Sequence, residues 1–415
     1  MRKLFTLFIY ICTVAVYAQR NEIYDSRIAS LQVVAGDDWL SLPVVRLGSN
    51  SPKDVINIGF DDLTHTYHRY TYSIEHCEAD WSVSEALFPA DYISGFYDGN
   101  TIDDSEESIN TNTLYTHYSL RIPNDRCRLT MSGNYRLTVY DENDGNRPVL
   151  SACFMVVEPL VSVSMSVSSN TDVDVNKSHQ QVSMQTDYQG ISVTNPATQI
   201  KTVVMQNFRW DNARINTQPQ YIMAKGLRWQ HSRELIFEAG NEYHKYEILD
   251  VSHPTMGIDF IRWDGTNYHV YPFAAEPRPN YVYDEDADGA FYIRNSDNVE
   301  NDRTCEYVSV HYIMKCPRRF DGDVYINGVW TNNRFLPEYK MEYDDAEQCY
   351  KGTVMQKQGY YSYQYLLVGS DGAARIMPEE GNFYQTENKY QALVYFRGTG
   401  ERTDRLVGYQ QVQTR

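Results

Sequence analysis

After its first eighteen residues, this 415-residue chain has no apolar run approaching the ~20 residues that a membrane-spanning helix needs. Helical periodicity is equally scarce, with Ser84 to Ala90 as one short candidate turn. Those two absences exclude a helical membrane protein and a helix bundle. Nucleophile elbows, Walker loops, dinucleotide fingerprints and the zinc-helix pattern His-Glu-x-x-His are missing as well, so no catalytic residue is assigned and no cofactor is expected. Positive charge is in deficit: 37 Lys and Arg stand against 55 Asp and Glu, a formal net charge of −18. So acidic a surface repels phosphate backbones and anionic headgroups, which argues against nucleic acid and against charge-driven membrane docking. A protein partner fits better, and a small-molecule ligand is not indicated.

What the chain has is tyrosine and tight turns. Its 35 tyrosines carry most of the 13% aromatic content, and Tyr suits pleated, half-buried surfaces. Asp98-Gly99, Asp144-Gly145, Asp264-Gly265, Asp288-Gly289, Asp321-Gly322 and Asp371-Gly372, with Asn327-Gly328, accept the positive φ of hairpin turns between β-branched or aromatic runs. The expectation is an all-β protein of three successive immunoglobulin-like β-sandwich domains. Arg2 and Lys3, the apolar run Leu4 to Val16 and the small-x-small site Val16-Tyr17-Ala18 read as a secretory signal over residues 1–18. Its removal takes the net charge from −18 to −20, and no Cys at the cleavage point calls for a lipid anchor. The domains are expected at 19–157, 158–302 and 303–415. Tyr135, Leu137 and Val139 share one face of a strand after the turn Ser132-Gly133-Asn134, and Val161 to Val167 alternates strictly at the start of the second domain.

Six of the seven cysteines follow the signal: Cys77, Cys127, Cys153, Cys305, Cys316 and Cys349. They read either as buried thiols packing as small hydrophobes or as one disulfide in each half of the chain. Among acidic and imidazole groups, Asp284, Asp286 and Asp288 resemble the start of a calcium loop, but Asn295 stands where the bidentate Glu belongs, so an acidic hairpin turn is the preferred reading. His65 and His68, near His76 and Cys77, have the offset that puts strand residues on opposite faces, which disfavours zinc. Asp61-Asp62 and Asp103-Asp104 read as solvated pairs. Tyr361, Tyr363 and Tyr365 alternate onto one face and read as core rather than as a sugar platform.

The stretch His76-Cys77-Glu78-Ala79-Asp80-Trp81, then Tyr92-Ile-Ser-Gly-Phe96, Ser108 to Thr111, Tyr115 to Tyr118 and Ser132-Gly-Asn-Tyr135 resembles the plug protein family of the Bacteroidetes type IX secretion system. Phe237-Glu-Ala-Gly-Asn-Glu-Tyr243 extends the resemblance, and residues 323 to 368 are similar in architecture to early-set immunoglobulin-like modules. The resemblance implies a non-enzymatic periplasmic component, associated with the outer membrane, that plugs the periplasmic opening of the translocon β-barrel. The alternative is a glycan-binding or adhesin-like protein. From the residues themselves, the Trp81 to Phe96 loop is aromatic and polar-edged, and Trp81, Phe88, Tyr92 and Phe96 are the candidate partner-binding residues.

Overall fold

The computed structural model describes residues 21–414; the expected signal segment and its cleavage site lie outside them. Strand makes up 47% and helix 8%, so the protein is all-β. The short helical turn expected at Ser84 to Ala90 lies further along the chain, as a single turn at Pro89–Tyr92 closed by a reciprocal cap between Phe88 and Asp91.

The first sandwich packs two antiparallel-dominated sheets. One runs Glu22–Ile23, Arg147–Val157, Gly133–Asp141, Tyr70–Cys77, Asn100–Thr101; the other runs Ile28–Ala35, Ile56–Asp62, Thr116–Ile122, Asp104–Glu107. Tyr135, Leu137 and Val139 all point into its core, as their period-two spacing requires. Phe60 stacks on Tyr118 (5.4 Å) and Tyr135 on Phe154 (5.5 Å), so the aromatics fill the space between the sheets. Gly133 has φ +149, and a Cβ there would lie 2.2 Å from His76 Nε2; only glycine fits this turn.

The second sandwich begins with Val161–Ser168, whose Val161 and Val163 are buried while Ser162 and Ser164 are exposed. This strand pairs with His179–Tyr188, which in turn carries Gly226–Trp229 and Ile236–Glu238. The facing sheet corrects the expected domain limits. Its strands are Arg214–Ile215, Ile200–Gln206, Lys389–Phe396 and Arg405–Gln413, so the C-terminal hairpin belongs here and not to a third domain beginning at residue 303. Tyr390, Ala392, Val394 and Val407 share one core with Val182 and Trp229.

The third sandwich is therefore an insertion within the second. It begins at His244–Glu247, well before residue 302, and holds a ten-stranded sheet. Four strands separate His244–Glu247 from Tyr307–Lys315 in that sheet. At ~4.8 Å per strand they would stand roughly 24 Å apart if it were flat, yet the hydroxyls of Tyr246 and Tyr312 are 2.6 Å apart. The sheet must curl on itself to enclose its core. Tyr361, Tyr363 and Tyr365 lie inside that core, each at most 3% exposed, as their alternation indicated. All six cysteines of the described residues are buried; Cys77, Cys127, Cys305, Cys316 and Cys349 are free thiols. Burial pushes the Cys77 thiol up to about 12, so it packs as a neutral hydrophobe.

Candidate partner-binding site

The motif residues that stand out in the sequence converge on the joints between sandwiches. Strand Tyr70–Cys77 ends in the turn Glu78-Ala79-Asp80-Trp81, in which Asp80 Oδ1 accepts from the Ser82 amide (3.0 Å) and Trp81 adopts φ +67. That left-handed residue swings the indole out of the first core and into a second apolar cluster. There it sits with Cys77, Met155 and Val157 of the first sandwich and Met205, Phe208, Leu393 and Tyr395 of the second. Trp81 also meets Trp210 edge-on at 5.6 Å.

Polar groups ring this cluster and fix its register. Asn134 donates from Nδ2 to the Glu78 carbonyl (2.8 Å), and the Tyr395 hydroxyl donates to Asn134 Oδ1 (2.8 Å). The amide of Ala79 donates to Asp404 Oδ2 (3.1 Å), which also holds Lys201 Nζ (2.8 Å). Arg397 joins Glu78 to Asp404. His76 is buried between Ser84 Oγ (2.9 Å) and the Ser132 carbonyl (3.2 Å), and burial lowers its pKa to about 4, so it is neutral. The tip of the C-terminal hairpin closes over the following loop, where Arg402 pairs with Asp91 (2.8 Å) and Thr403 meets Ser84 (2.8 Å).

A second joint links the first sandwich to the third. Asp61 and Asp62, expected to be solvated, are both fully buried. They point apart, as adjacent strand residues must. Asp62 accepts from the Tyr70 hydroxyl (2.7 Å), whereas Asp61 meets Lys357 Nζ (2.7 Å), Tyr307 Oη (2.6 Å) and His117 Nδ1 (2.6 Å). Burial alone would raise the Asp61 pKa, but Lys357 and His117 outweigh it and hold the carboxyl below its ordinary value. Tyr115 donates to the Cys305 carbonyl (2.8 Å), and Glu306 accepts the amide of Thr113 (3.0 Å). Motif residues Tyr115 and His117 thus serve this joint, while Tyr118 stays in the first core.

The third joint carries both chain crossings between the second and third sandwiches. Gly240 donates to Asn382 Oδ1 (2.8 Å), and Thr386 Oγ1 donates to the Gly240 carbonyl (2.8 Å). The candidate calcium residues belong here. Asp284 is exposed and pairs with Lys245 (2.6 Å), Asp288 pairs with Lys389 (3.0 Å), and Asp286 accepts backbone amides of Tyr243 and Asp288. Among the described residues no three His, Cys, Asp or Glu side chains are placed to hold a metal ion. Burial and the neighbouring Asp288 push Asp286 up to about 8. His65, His68 and His76 do not converge either; His68 pairs with Asp141 (2.9 Å) instead.

Of the four candidate contact residues, two are misplaced by sequence reasoning. Trp81 is 1% exposed in its interdomain cluster, and Tyr92 is 6% exposed in the first core, so neither can meet a partner. Phe88 and Phe96 are 72% and 68% exposed. Their chain neighbours Leu87, Pro89 and Tyr97, with Val83, wall a groove of about 640 Å³ whose strand floor carries Thr71, Ser73, Glu75 and Tyr140; Phe88 and Phe96 themselves lie outside its lining. Tyr97 and Val83, which sequence reasoning missed, are partly exposed there. For Tyr97 a signal was present in the adjoining Asp98-Gly99 turn.

Residues 28–158 match the family described as type 9 secretion system plug protein, 1st domain. The first sandwich belongs to the type IX secretion plug family. The match covers the first sandwich, from its strand Ile28–Ala35 to the end of Arg147–Val157. The chain is also 40% identical to a hypothetical protein from Parabacteroides merdae ATCC 43184, whose crystal structure it matches with a TM-score of 0.91 over 95% of this chain and 99% of that one. A partial N-terminal region of an enterococcal surface protein (7% identity, 95% of each chain, TM-score 0.19) and the collagen adhesin of S. aureus (8% identity, 93% and 91%, TM-score 0.11) are too dissimilar to carry an argument. No curated protein matches the chain. Membership in the plug family gives it a role related to type IX secretion.

Proposed function

We propose that this chain is a non-enzymatic periplasmic component that closes the periplasmic opening of the outer-membrane type IX translocon barrel by steric occlusion. The observation that carries the reading is the family match over the first sandwich, joined to the way that family's motif residues are spent. Trp81, His117 and Gly240 among them help to tie three sandwiches into one block, through an apolar cluster, the buried charges around Asp61 and a doubly crossed linker joint. An occluding body must hold its shape against a pore, and interlocked joints of this kind resist interdomain motion. No helix among the described residues is long and apolar enough to cross a membrane.

The glycan-binding alternative receives no support from the aromatics that suggested it. Tyr361, Tyr363 and Tyr365 face inward. On the outer face, Phe260, Tyr271 and His311 stack against one another at 4.2 and 4.4 Å, so both faces of the Tyr271 ring are covered. A sugar platform needs free faces.

The reading is tested by purifying the translocon from native membranes and asking whether the chain accompanies it. Co-purification is expected, and deletion of the gene should let large solutes leak across the outer membrane. Absence of the wild-type chain from the complex, with unchanged permeability on deletion, removes the assignment.

A further inference from the structure

The groove beside Phe88 and Phe96 carries an unbalanced charge. Glu75, Glu85, Asp98 and Glu142 line it, and Arg69 is its one lining cation apart from the neutral His76. Arg69 is already paired with Glu142 (2.9 Å). Glu75 stands directly across the strands from Arg136, whereas no ion pair engages Glu85 or Asp98 among the described residues, so two carboxylates face the cleft without a cation beside them. Like charges gathered beside low-dielectric walls focus a negative potential into the opening. In the same lining stand two exposed apolar side chains, Tyr97 and Val83.

Neither feature is an accident of a loose loop. Arg402 pins the loop from the far side through Asp91 and the Ala86 carbonyl (3.0 Å), and the Ile74 amide donates to the Tyr97 carbonyl (2.9 Å). The floor is a strand face in which outward Thr71, Ser73 and Glu75 alternate with buried Tyr72 and Ile74. Such a floor runs roughly 13 Å over these residues at strand rise, the reach of about four extended residues.

We propose that this groove receives an extended polypeptide segment of a protein partner that bears lysine or arginine beside apolar anchors. Its cations would meet Glu85 and Asp98 beside Glu75, while its apolar side chains settle against Tyr97 and Val83. A second copy of this chain is a poor occupant, because a body of net charge −18 repels itself. The inference rests on the proposed function only in taking the partner to be a protein; it holds for any basic segment the secretion apparatus presents.

The test titrates the mature chain with two labelled synthetic peptides, one of Lys-Phe-Ser repeats and one of Glu-Phe-Ser repeats, at low and high salt. The lysine peptide should bind and weaken with salt; the glutamate peptide should not bind. The triple variant Glu75→Gln, Glu85→Gln, Asp98→Asn should weaken the lysine peptide at least tenfold. A control triple with the same charge change on other surfaces, Glu107→Gln, Asp297→Asn, Asp345→Asn, should change it less than twofold. Equal weakening by both triples overturns the proposal, as does equal binding of the two peptides or no binding of either. A concentration-dependent dimer that the groove triple abolishes also overturns it, by making a second copy the occupant. The two readings separate cleanly: a wild-type chain that accompanies the translocon but ignores the lysine peptide keeps the plug and discards the groove. One that binds the peptide at the groove but never accompanies the translocon does the reverse.

Discussion

The joints that hold the first sandwich to the second and to the third use opposite chemistry. At the second sandwich the contact is apolar, built on Trp81 with Met155, Met205, Phe208 and Leu393. At the third it is ionic, with Lys357 and Asp61 at 1% and 0% side-chain exposure. An apolar joint loses stability in proportion to the surface removed, whereas a buried ion pair gives little net stability while intact and a large penalty when one partner goes. The same block is thus held by one joint that is strong and another that is specific. The exposed groove rim beside them is pinned from behind by Arg402 and leaves its outer side open to be recognised.

The largest effects are expected at the joints. Trp81→Ala should cost about 3–5 kcal/mol, the range for deleting a buried large aromatic, read as a fall in the denaturant midpoint. Lys357→Met leaves Asp61 buried without its cation and should cost about 3–5 kcal/mol, while Asp61→Asn combined with Lys357→Met should recover much of that loss. Additive costs in the double variant would erase the contrast between the joints. Tyr92→Ala belongs with this group, because Tyr92 is a core residue whose hydroxyl donates to the Ile74 carbonyl (3.3 Å); it is unsuitable as a probe of partner contact.

A smaller effect separates the joints by pH. Asp286 has a folded pKa raised to about 8, so the folded state holds a proton that the unfolded state has released. Its contribution is full below about pH 4 and is lost as pH rises through 8. His76, lowered to about 4, acts in the other direction: its contribution is present above pH 6.5 and is lost as pH falls toward 4. Between pH 6.5 and 8 the His76 contribution has levelled off while that of Asp286 still changes, and Asp286→Asn should flatten the fall in Tm across that window. An unchanged slope would show that the carboxyl is ionised throughout.

The smallest effect is the sharpest contrast. Phe88→Ser and Phe96→Ser should leave the denaturant midpoint within about 0.5 kcal/mol of wild type, as surface substitutions do, while weakening co-purification with the translocon. A large loss of stability would move these residues from the rim into the joint.

Local physics made the strands legible. Tyr135, Leu137 and Val139 had to share a face, Gly133 had to be a turn, and Tyr361 to Tyr365 had to alternate, because side-chain period is a property of the strand alone. The candidate contact site was half legible. Phe88 and Trp81 look alike as exposed-loop aromatics, and nothing in their neighbours tells that a left-handed φ at Trp81 sends the indole into another sandwich. Asp61 and Asp62 look like solvated acids until a lysine 296 residues later arrives beside Asp61.

By itself the sequence determined an all-β chain, its turn positions, its inward tyrosines and its family, since each depends on spacing within a few residues or on a contiguous motif. Tertiary structure alone decided that Lys389–Phe396 pairs with Ile200–Gln206, and so that the third sandwich is an insertion in the second. Strand pairing is chosen by which apolar faces can be buried together, and that competition runs over the whole chain rather than along it.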